Sequence, residues 1–351
     1  MSEVTVLMTV FNGMPYLAEA VDSILRQTLS DFEFVIVDDG STDGTADYLN
    51  SLTDPRISII CQENRGTAAA ANHGLENIDT RFVARMDADD ISSPTRLSKQ
   101  LAFMKQNPEV GVLGTQVVPV GISGHGKSLA LPTSHEELFS DMMSCKHGLA
   151  HSSVMIDAVR LKSIGGYWSL RLVDDWDMML RMGEISQLAN LDEVLVQYRV
   201  HSGSLNGSGM LRMRRSIAYA TERARRRQAN MTPISYEAFV HELDNAPFLQ
   251  RLAERARVFA LTQYRIAIAD QCGGRKIAGT LRLGFAALCS PRMTIDRVSR
   301  IMRFSGRPQS TEQPQASALA ANNEVDLDMM HQPTVSATAE NCAEAETGSL
   351  G

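Results

Sequence analysis

The sequence predicts an α/β fold in which a mostly parallel sheet is flanked by helices, followed by a helical extension and a disordered tail. Strand and helix patterns alternate through the first third of the chain, whereas the residues after Gly209 keep only a helical period. From Ser305 onward the chain has no aromatic residue and is rich in Gln, Ser, Ala, Pro and Glu. These changes divide the chain into an α/β domain (1–205), a basic helical extension (206–307) and a disordered acidic tail (308–351).

The predicted strands are short β-branched and apolar runs that end at turn residues. Because helix-length segments separate the early strands, parallel βαβ units are expected. The predicted strands are Val4–Val10, Phe32–Val37, Arg56–Ile60, Phe82–Met86, Val110–Val120, His151–Ile156 and Val194–Val200.

The predicted helices have apolar residues three and four positions apart, as at Leu17, Val21 and Ile24. In the α/β domain they are Leu17–Gln27, Thr45–Leu52, Gly66–Asn77, Arg96–Gln106, 135–147 and Asp175–Met182. In the extension they are Met210–Asn230, Tyr236–Leu243, Phe248–Ala269 and Lys276–Leu288.

Composition narrows the class of protein. The 351 residues are 44% hydrophobic and 21% charged, which is ordinary for a globular protein. No run of about 18 apolar residues predicts a membrane span, and the N-terminus lacks the features of a signal peptide. The five cysteines are scattered without a CxxC pair, which favours reduced thiols over disulfides or a zinc site. A cytoplasmic protein is therefore expected.

The net charge of −7 is distributed unevenly. Residues 211–307 hold 19 basic and 7 acidic residues, whereas the tail holds 7 acidic residues and no basic one. The Arg runs within 211–230 lack interleaved aromatics and any nucleic-acid reader motif, so no nucleic-acid partner is expected. A solvated helix face is one interpretation. The preferred one is peripheral contact of 211–307 with an anionic membrane, on its inner face.

Two acidic clusters follow predicted strands, at Asp38–Gly44 and Asp87–Asp90. Ligands of open parallel sheets bind beyond the carboxyl ends of the strands, so both clusters are candidates for a site. Asp87 and Asp89 suit Mg²⁺ or Mn²⁺ held together with a diphosphate. The chain has no P-loop, GxGxxG fingerprint or EF-hand pattern.

A third acidic cluster, Asp174, Asp175 and Asp177, lies at a predicted helix start. Mutual repulsion would raise a carboxyl pKa there, and the helix N-terminus would oppose it. Simple N-capping is the alternative role. Trp176 could pack against a sugar ring or belong to the core, and Arg181 is expected to form a structural ion pair.

Five motifs, in this order, resemble the family 2 glycosyltransferases of the GT-A fold, and together they cover about residues 3–205. They are the run from Val10 to Thr45, GluAsnArgGly at 63–66, AspAlaAsp at 87–89, AspAspTrpAsp at 174–177 and TyrArgValHis at 198–201.

The resemblance implies inverting transfer of a sugar from a nucleotide diphosphate to a hydroxyl. On the donor side it implies that Thr9, Phe11 and Asn12 border the nucleotide pocket. Asp39 would accept from a base N–H, which suggests uracil or thymine, and Arg65 would approach the nucleotide or its phosphates.

For the reacting groups, the resemblance implies that Asp87 contacts the ribose or metal-bound water and that Asp89 ligates Mn²⁺ or Mg²⁺. His201 would lie near the diphosphate, as a candidate further metal ligand. Asp175 would be the general base, with Asp174 as the alternative. His151 would lie near the acceptor, although a structural role is also compatible with its position.

The expected acceptor is a glycan or a lipid-linked sugar, in the synthesis of a bacterial surface polysaccharide. Two alternatives remain at this point. A sugar nucleotidyltransferase also uses paired carboxylates and a metal, but its usual basic N-terminal loop is missing at Phe11–Gly13. A non-catalytic GT-A-like adaptor would not need to keep Asp39, Asp87, Asp89 and Asp175 together.

Overall fold

The structure is a computed structural model, and it describes residues 2–121, 124–125, 128, 131–168, 173–200, 207–291 and 295. All of them belong to one compact unit. His201, assigned above as a candidate metal ligand, lies outside the described residues, and so does the tail predicted for 308–351.

The centre of the unit is a nine-stranded sheet. Its strands are β1 (Val4–Val10), β2 (Glu33–Asp38), β3 (Ile57–Cys61), β4 (Phe82–Asp87), β5 (Ile91–Ser92), β6 (Val110–Gly121), β7 (Gly124–His125), β8 (Met155–Asp157) and β9 (Gln187–Arg199). They lie in the order β3-β2-β1-β4-β8-β6-β9-β5, and β7 pairs with the end of β6.

Helices cover the sheet and extend beyond it. Those of the α/β part are α1 (Leu17–Leu25), α2 (Thr45–Asn50), α3 (Thr67–Glu76), α4 (Arg96–Gln106), α5 (His135–Met143), α6 (Ala158–Ser163) and α7 (Asp174–Ile185). Those of the extension are α8 (Gly207–Gln228), α9 (Tyr236–Asp244), α10 (Phe248–Cys272) and α11 (Lys276–Cys289).

The strand order reverses beside β1. From β1 the chain moves outward to β2 and β3 and then returns to place β4 on the other side of β1, all four strands being parallel. The register sets Thr9 beside Asp87 and Val10 beside Asp38. The two acidic clusters therefore share one edge of the sheet, at the kind of switch point where α/β sheets bind ligands.

Beyond β4 the sheet becomes mixed. β8 runs antiparallel to both β4 and β6, β9 pairs parallel with β6, and β5 pairs antiparallel with β9. The α/β prediction is confirmed, with its parallel part concentrated in the first four strands.

The core forms two layers because alternate strand residues face opposite sides of the sheet. Leu7 points toward α3, α5, α7 and α8, whereas its neighbours Val6 and Met8 point toward α1 and α4. All three side chains are fully buried. Burying one such side chain stabilises the fold by roughly 1.5–3 kcal/mol.

The segment 151–156 differs from its prediction as a strand. Residues His151–Ser153 form a 3-10 turn, because the N–H and hydroxyl of Ser153 donate to the Ala150 carbonyl at 2.9 and 2.8 Å. The strand is shorter, and α6 follows it without having been predicted. Asp157 begins α6 by accepting from the Arg160 N–H at 2.9 Å.

The helical extension continues the core of the α/β part. Ile217, Ala220 and Ala224 of α8 are buried in the same layer as α7, and α10 contacts α8 and β6. Within the described part of the chain, no helix is long and apolar enough to cross a bilayer.

Candidate active site

Asn12 joins the turn after β1 to the turn after β2. Its backbone is left-handed, with φ of 53°, and its side-chain oxygen accepts from the Thr42 N–H at 2.8 Å. Its own N–H donates to the Ser41 hydroxyl at 2.9 Å. Asn is one of the few residues that tolerate this conformation. Beside it, the Phe11 ring is half exposed, which leaves it available as a wall for a base.

Asp39 organises the loop between β3 and α3. Its Oδ1 accepts from the Arg65 N–H at 2.9 Å and from Gln62 at 2.7 Å, and its Oδ2 accepts from the Gly66 N–H at 2.8 Å. A carboxylate offers about four acceptor positions, so the buried carboxylate of Asp39 has one position left for a further donor. The Arg65 side chain is exposed.

Arg85 lies beneath the carboxyl end of β4 and is fully buried. Its Nη1 donates to the Leu7 carbonyl at 2.6 Å, and its Nη2 donates to the Thr9 hydroxyl and to Asp87 Oδ1, each at 3.3 Å. The Asp87 side chain keeps 37% of its surface exposed. Burial raises the pKa of Asp87; the Arg85 charge opposes the rise, and Asp89 and Asp174 add to it.

Asp90 and Arg96 lie behind this edge, and both are fully buried. Asp90 accepts from the Arg199 N–H at 2.8 Å, and the Arg199 Nε donates to the Asp89 carbonyl at 2.8 Å. Burial, reinforced by Asp87 and Asp89, raises the Asp90 pKa well above its usual value. Burial lowers the pKa of Arg96 to about 9, with Asp90 and Asp87 opposing that shift.

The sequence analysis missed Arg85 and Arg96 as members of this site, and it included Asp90 in the cluster without giving it a role. A signal was present for Arg85, because a charged residue in the buried run Phe82–Met86 needs a partner. Its spacing of two from Asp87 puts both side chains on the same face of β4.

Asp174 and Asp175 form the first turn of α7. The Trp176 N–H donates to Asp175 Oδ1 at 2.7 Å. Burial raises the pKa of Asp175 to about 7, Asp174 and Asp87 contribute further, and the Trp176 N–H opposes the rise. A carboxyl with this pKa can exchange protons near neutral pH, as a general base requires.

Asp177 turns away from the site and fixes α7 to the preceding loop. The Arg181 Nε donates to Asp177 Oδ2 at 2.6 Å, and its other nitrogens donate to the carbonyls of Ile164 and Gly166 at 2.7 Å each. The structural ion pair expected for Arg181 is confirmed. Arg223 of α8 approaches the same carboxylate at 3.9 Å.

Two residues predicted on the acceptor side have packing contacts. His151 Nε2 lies 3.4 Å from Arg85 Nε and 3.2 Å from the Tyr167 hydroxyl. Burial, together with the Arg85 charge, keeps the His151 pKa well below its usual value. Trp176 is only 3% exposed, with its ring edge-on to His147 at 5.2 Å. This burial favours the core role that the sequence analysis gave Trp176 as an alternative to packing against a sugar ring.

The candidate metal ligands fit a cation that is shared with a substrate. In the described ranges, no group of three or more His, Cys, Asp or Glu side chains is placed to hold a metal alone. Asp87 and Asp89 nevertheless offer two carboxylates at the edge of the sheet. Mg²⁺ sites of this type use one or two carboxylates plus substrate phosphates, so the residues present fit the group.

Comparisons with known proteins agree with this geometry. The family model described as Glycosyl transferase family 2 matches residues 5–151. EpsE of Bacillus subtilis, named as a glycosyltransferase, is 32% identical over 231 residues, covering 63% of this chain and 79% of that protein. The O-antigen biosynthesis glycosyltransferase WbnJ of Escherichia coli is 31% identical over 214 residues, covering 59% of this chain and 83% of that protein.

A solved structure shares the fold. The mannosyltransferase PcManGT of Pyrobaculum calidifontis, in complex with GDP-Man and Mn²⁺, superposes with a TM-score of 0.52 at 17% identity. The match covers 86% of each chain. At this level of identity the likeness concerns the fold, and it confirms the predicted GT-A-type architecture.

Proposed function

Since this chain belongs to glycosyl transferase family 2 and is a glycosyltransferase, we propose that it transfers a sugar from a UDP- or dTDP-sugar to a hydroxyl group. The acceptor is a glycan or a lipid-linked sugar in the synthesis of a surface polysaccharide, as the name of WbnJ suggests for that relative. Because the chain is a glycosyltransferase, we prefer this function to the nucleotidyltransferase and the non-catalytic adaptor.

The observation that carries the proposal is that the acidic turns after β2 and β4, which hold Asp39 and Asp87, lie at one edge of the sheet on either side of β1. Val10 of β1 stands beside Asp38, Thr9 stands beside Asp87, and the Asp39 N–H donates to the Val10 carbonyl at 2.8 Å. A nucleotide pocket and a phosphate side are therefore within reach of one substrate, and Asp175 in the first turn of α7 is the base that we propose for it.

On the donor side, Phe11 and Thr9 border the base and ribose, and Asp39 accepts from the base N–H. Arg65 approaches the phosphates with its exposed guanidinium. Asp89 and Asp87 would hold Mn²⁺ or Mg²⁺ together with the diphosphate. When bound, such a cation neutralises negative charge on the leaving diphosphate.

On the acceptor side, Asp175 takes the proton. The Trp176 N–H donates to its Oδ1, and the carboxylate keeps free lone pairs for the acceptor hydroxyl proton. The acceptor oxygen bonds to the anomeric carbon while the bond from that carbon to the diphosphate oxygen breaks. One displacement inverts the configuration, and general-base assistance accounts for about 10²–10⁴-fold of the rate.

The proposed place of action is the cytoplasm, with peripheral contact on the inner face of the membrane through residues 211–307. The net positive charge of that region is complementary to anionic lipid.

A thermal-shift panel tests the donor site. The ligands are UDP, dTDP, GDP and CDP with and without Mn²⁺, on the wild type, Asp89→Ala and the control Asp31→Ala. Asp31 is exposed and precedes β2, at the opposite edge of the sheet. We expect UDP or dTDP with Mn²⁺ to raise the Tm of the wild type and the control, because a ligand stabilises the state that binds it.

Loss of that shift in Asp89→Ala alone would support the assignment. Stabilisation by GDP alone would overturn the choice of base, and an unchanged Mn²⁺-dependent shift in Asp89→Ala would overturn the metal assignment.

A further inference from the structure

The hairpin formed by α10 and α11 presents large apolar side chains to solvent. They recur at helical spacing along one side of each helix, as Ile277, Leu281, Phe285 and Leu288 on α11 and as Leu252 and Phe259 on α10. Their exposed fractions run from 46% to 80%. The rings of Phe259 and Phe285 meet edge-on at 5.9 Å, which joins the two stripes into one apolar face.

Most of this face lies outside the contact between the two helices. The buried positions of the pair are mostly small residues, Ala260, Ala267 and Cys272 on α10 and Gly279 and Ala286 on α11, together with Asp270. A Cβ at Gly279 would come within 2.8 Å of the Ala267 carbonyl oxygen, so the two backbones approach closely. The most exposed side chains, Ile277, Leu281 and Leu288, therefore lie outside the contact, which is unusual for a surface unless it meets a partner.

The hairpin is also basic. Residues 248–289 hold seven Lys or Arg and only two acidic residues, Glu254 and Asp270. Asp270 is already paired with Arg275 at 2.6 Å and with Arg282 at 3.0 Å. An exposed apolar face combined with net positive charge is the pattern of helices that lie in the interface of an anionic bilayer.

We propose that the apolar face of the α10–α11 hairpin docks this chain onto a bilayer of anionic lipid. The inference rests on the membrane contact included in the proposed function and deepens it by naming the surface that makes the contact. A second copy of the chain is a poorer occupant, because self-association would bring together two surfaces that each carry a charge of +5.

The Arg-rich helix α8 is less suited to this contact, because several of its arginines hold it to the α/β part. Arg214 donates to the Cys145 carbonyl at 3.0 Å, and Arg225 donates to the Met143 carbonyl at 2.8 Å. Arg227 forms a two-pronged pair with Glu184, with its Nε and Nη2 each 2.9 Å from a carboxylate oxygen. The hairpin therefore takes the role that the sequence analysis gave to the whole of 211–307.

The hairpin lies beside the strands that end at the site. The close approach of Cys272 to Gly121 sets α10 against the end of β6. There Val120 pairs with Arg199, which binds the Asp89 carbonyl. Docking through the hairpin would thus bring this edge of the molecule toward a lipid surface, where a lipid-linked acceptor is available.

Vesicle co-sedimentation of the full chain tests the proposal. The vesicles are phosphatidylcholine alone or with phosphatidylglycerol, at low salt and at about 0.5 M salt, where charges are screened within a few ångströms. The test variant is Ile277→Ser with Leu281→Ser and Leu288→Ser. The control, Val159→Ser with Ile185→Ser and Met231→Ser, replaces three apolar residues that are also more than half exposed and lie outside the hairpin.

We expect the wild type and the control to bind phosphatidylglycerol vesicles, more weakly at high salt and on phosphatidylcholine. We expect the hairpin variant to bind at least ~10-fold more weakly, because three apolar side chains no longer enter the interface. The nucleotide-induced Tm shift reports the donor site separately, so the hairpin variant should keep it even while vesicle binding fails.

Equal vesicle binding by the hairpin variant and the control would overturn the proposal. Sedimentation velocity without lipid tests whether the apolar face is covered instead by a second copy of the chain or by other residues of the same chain. A dimer that the hairpin variant loses, with no vesicle binding, would assign the face to a second copy. A monomer that never binds vesicles, and whose hairpin variant has only a lowered Tm, would assign it to other residues of the same chain.

Discussion

Arg85 Nη2 donates to Asp87 Oδ1 at 3.3 Å, from a side chain that is fully buried under the edge of the sheet. The same guanidinium holds the Leu7 carbonyl at 2.6 Å. The orientation of the Asp87 side chain is therefore set by the Arg85 guanidinium, which is itself held by the neighbouring strand β1. We infer that Arg85 acts as a positioning residue, since it would act on the substrate through the side chains of Thr9, Asp87 and His151 that it contacts.

Arg85→Lys should weaken donor use while leaving the chain folded. A lysine keeps the positive charge but loses the planar fork that reaches Leu7, Thr9 and Asp87 together. We expect kcat/KM for the donor to fall by roughly 10–100-fold, because misplaced groups at a reacting centre cost about that much. Steady-state kinetics with varied donor measure it. Arg56→Lys, which changes the Asp54 pair instead, is the control, and equal losses in the two variants would contradict the positioning role.

The activity of the wild type should rise with pH through about 7. The pKa of Asp175 is raised to about 7, and only its ionised form can accept the acceptor proton. Removing the Asp174 charge should lower the Asp175 pKa, so Asp174→Asn should shift the rising part of the pH profile to lower pH.

Asp175→Asn should lose about 10²–10⁴-fold of kcat. The pH profile of kcat/KM measures both. If the rise of kcat/KM with pH disappeared in Asp174→Asn and persisted in Asp175→Asn, Asp174 would be the base.

Asp175→Asn should also stabilise the fold at alkaline pH. An unfolded Asp has a pKa of about 3.9, so the folded state holds the extra proton between about pH 4 and pH 7. Stability then falls as pH rises through that window, because ionising this half-buried carboxyl costs free energy. Asparagine avoids this cost, so its Tm advantage should be present at pH 8 and absent at pH 4. Scanning calorimetry at both pH values measures it, and an advantage that is equal at both would contradict the raised pKa.

Arg181→Met should destabilise the chain by about 3–5 kcal/mol, because it leaves the carboxylate of Asp177 buried with a weaker partner. It also removes the two donors that hold the carbonyls of Ile164 and Gly166. Arg26→Met is the matched control, since the Arg26–Asp22 pair is exposed and such pairs contribute about 0–1 kcal/mol. Urea unfolding measures both free energies. A difference below about 1 kcal/mol would mean that Arg223 replaces Arg181 as the partner of Asp177.

The sequence was most informative where local pattern and tertiary structure agree. The strand Val4–Val10 and the helix Arg96–Gln106 have the predicted bounds, because both combine a regular apolar period with turn residues at their ends. The shared edge of the two acidic clusters was also predictable, since it follows from parallel strands alone.

The features that the sequence did not predict depend on contacts between residues that are far apart along the chain. Nothing near Trp176 in the sequence reports that its ring lies against His147. The arginines of α8 read as a free charged face, yet Arg227 meets Glu184, which is 43 positions earlier. Arg85 was read as part of an ordinary strand because its partners, Leu7 and His151, are far away along the chain.

The clamp between α8 and α7 has a consequence for building chimaeras from related transferases. Arg223 and Arg227 of the extension reach Asp177 and Glu184, so they steady the helix whose first turn carries Asp174 and Asp175. A graft that joins the first 205 residues of one relative to the extension of another would separate the helix that carries the proposed base from the arginines that pair with it. Recombination should succeed more often when α7 and α8 are inherited together.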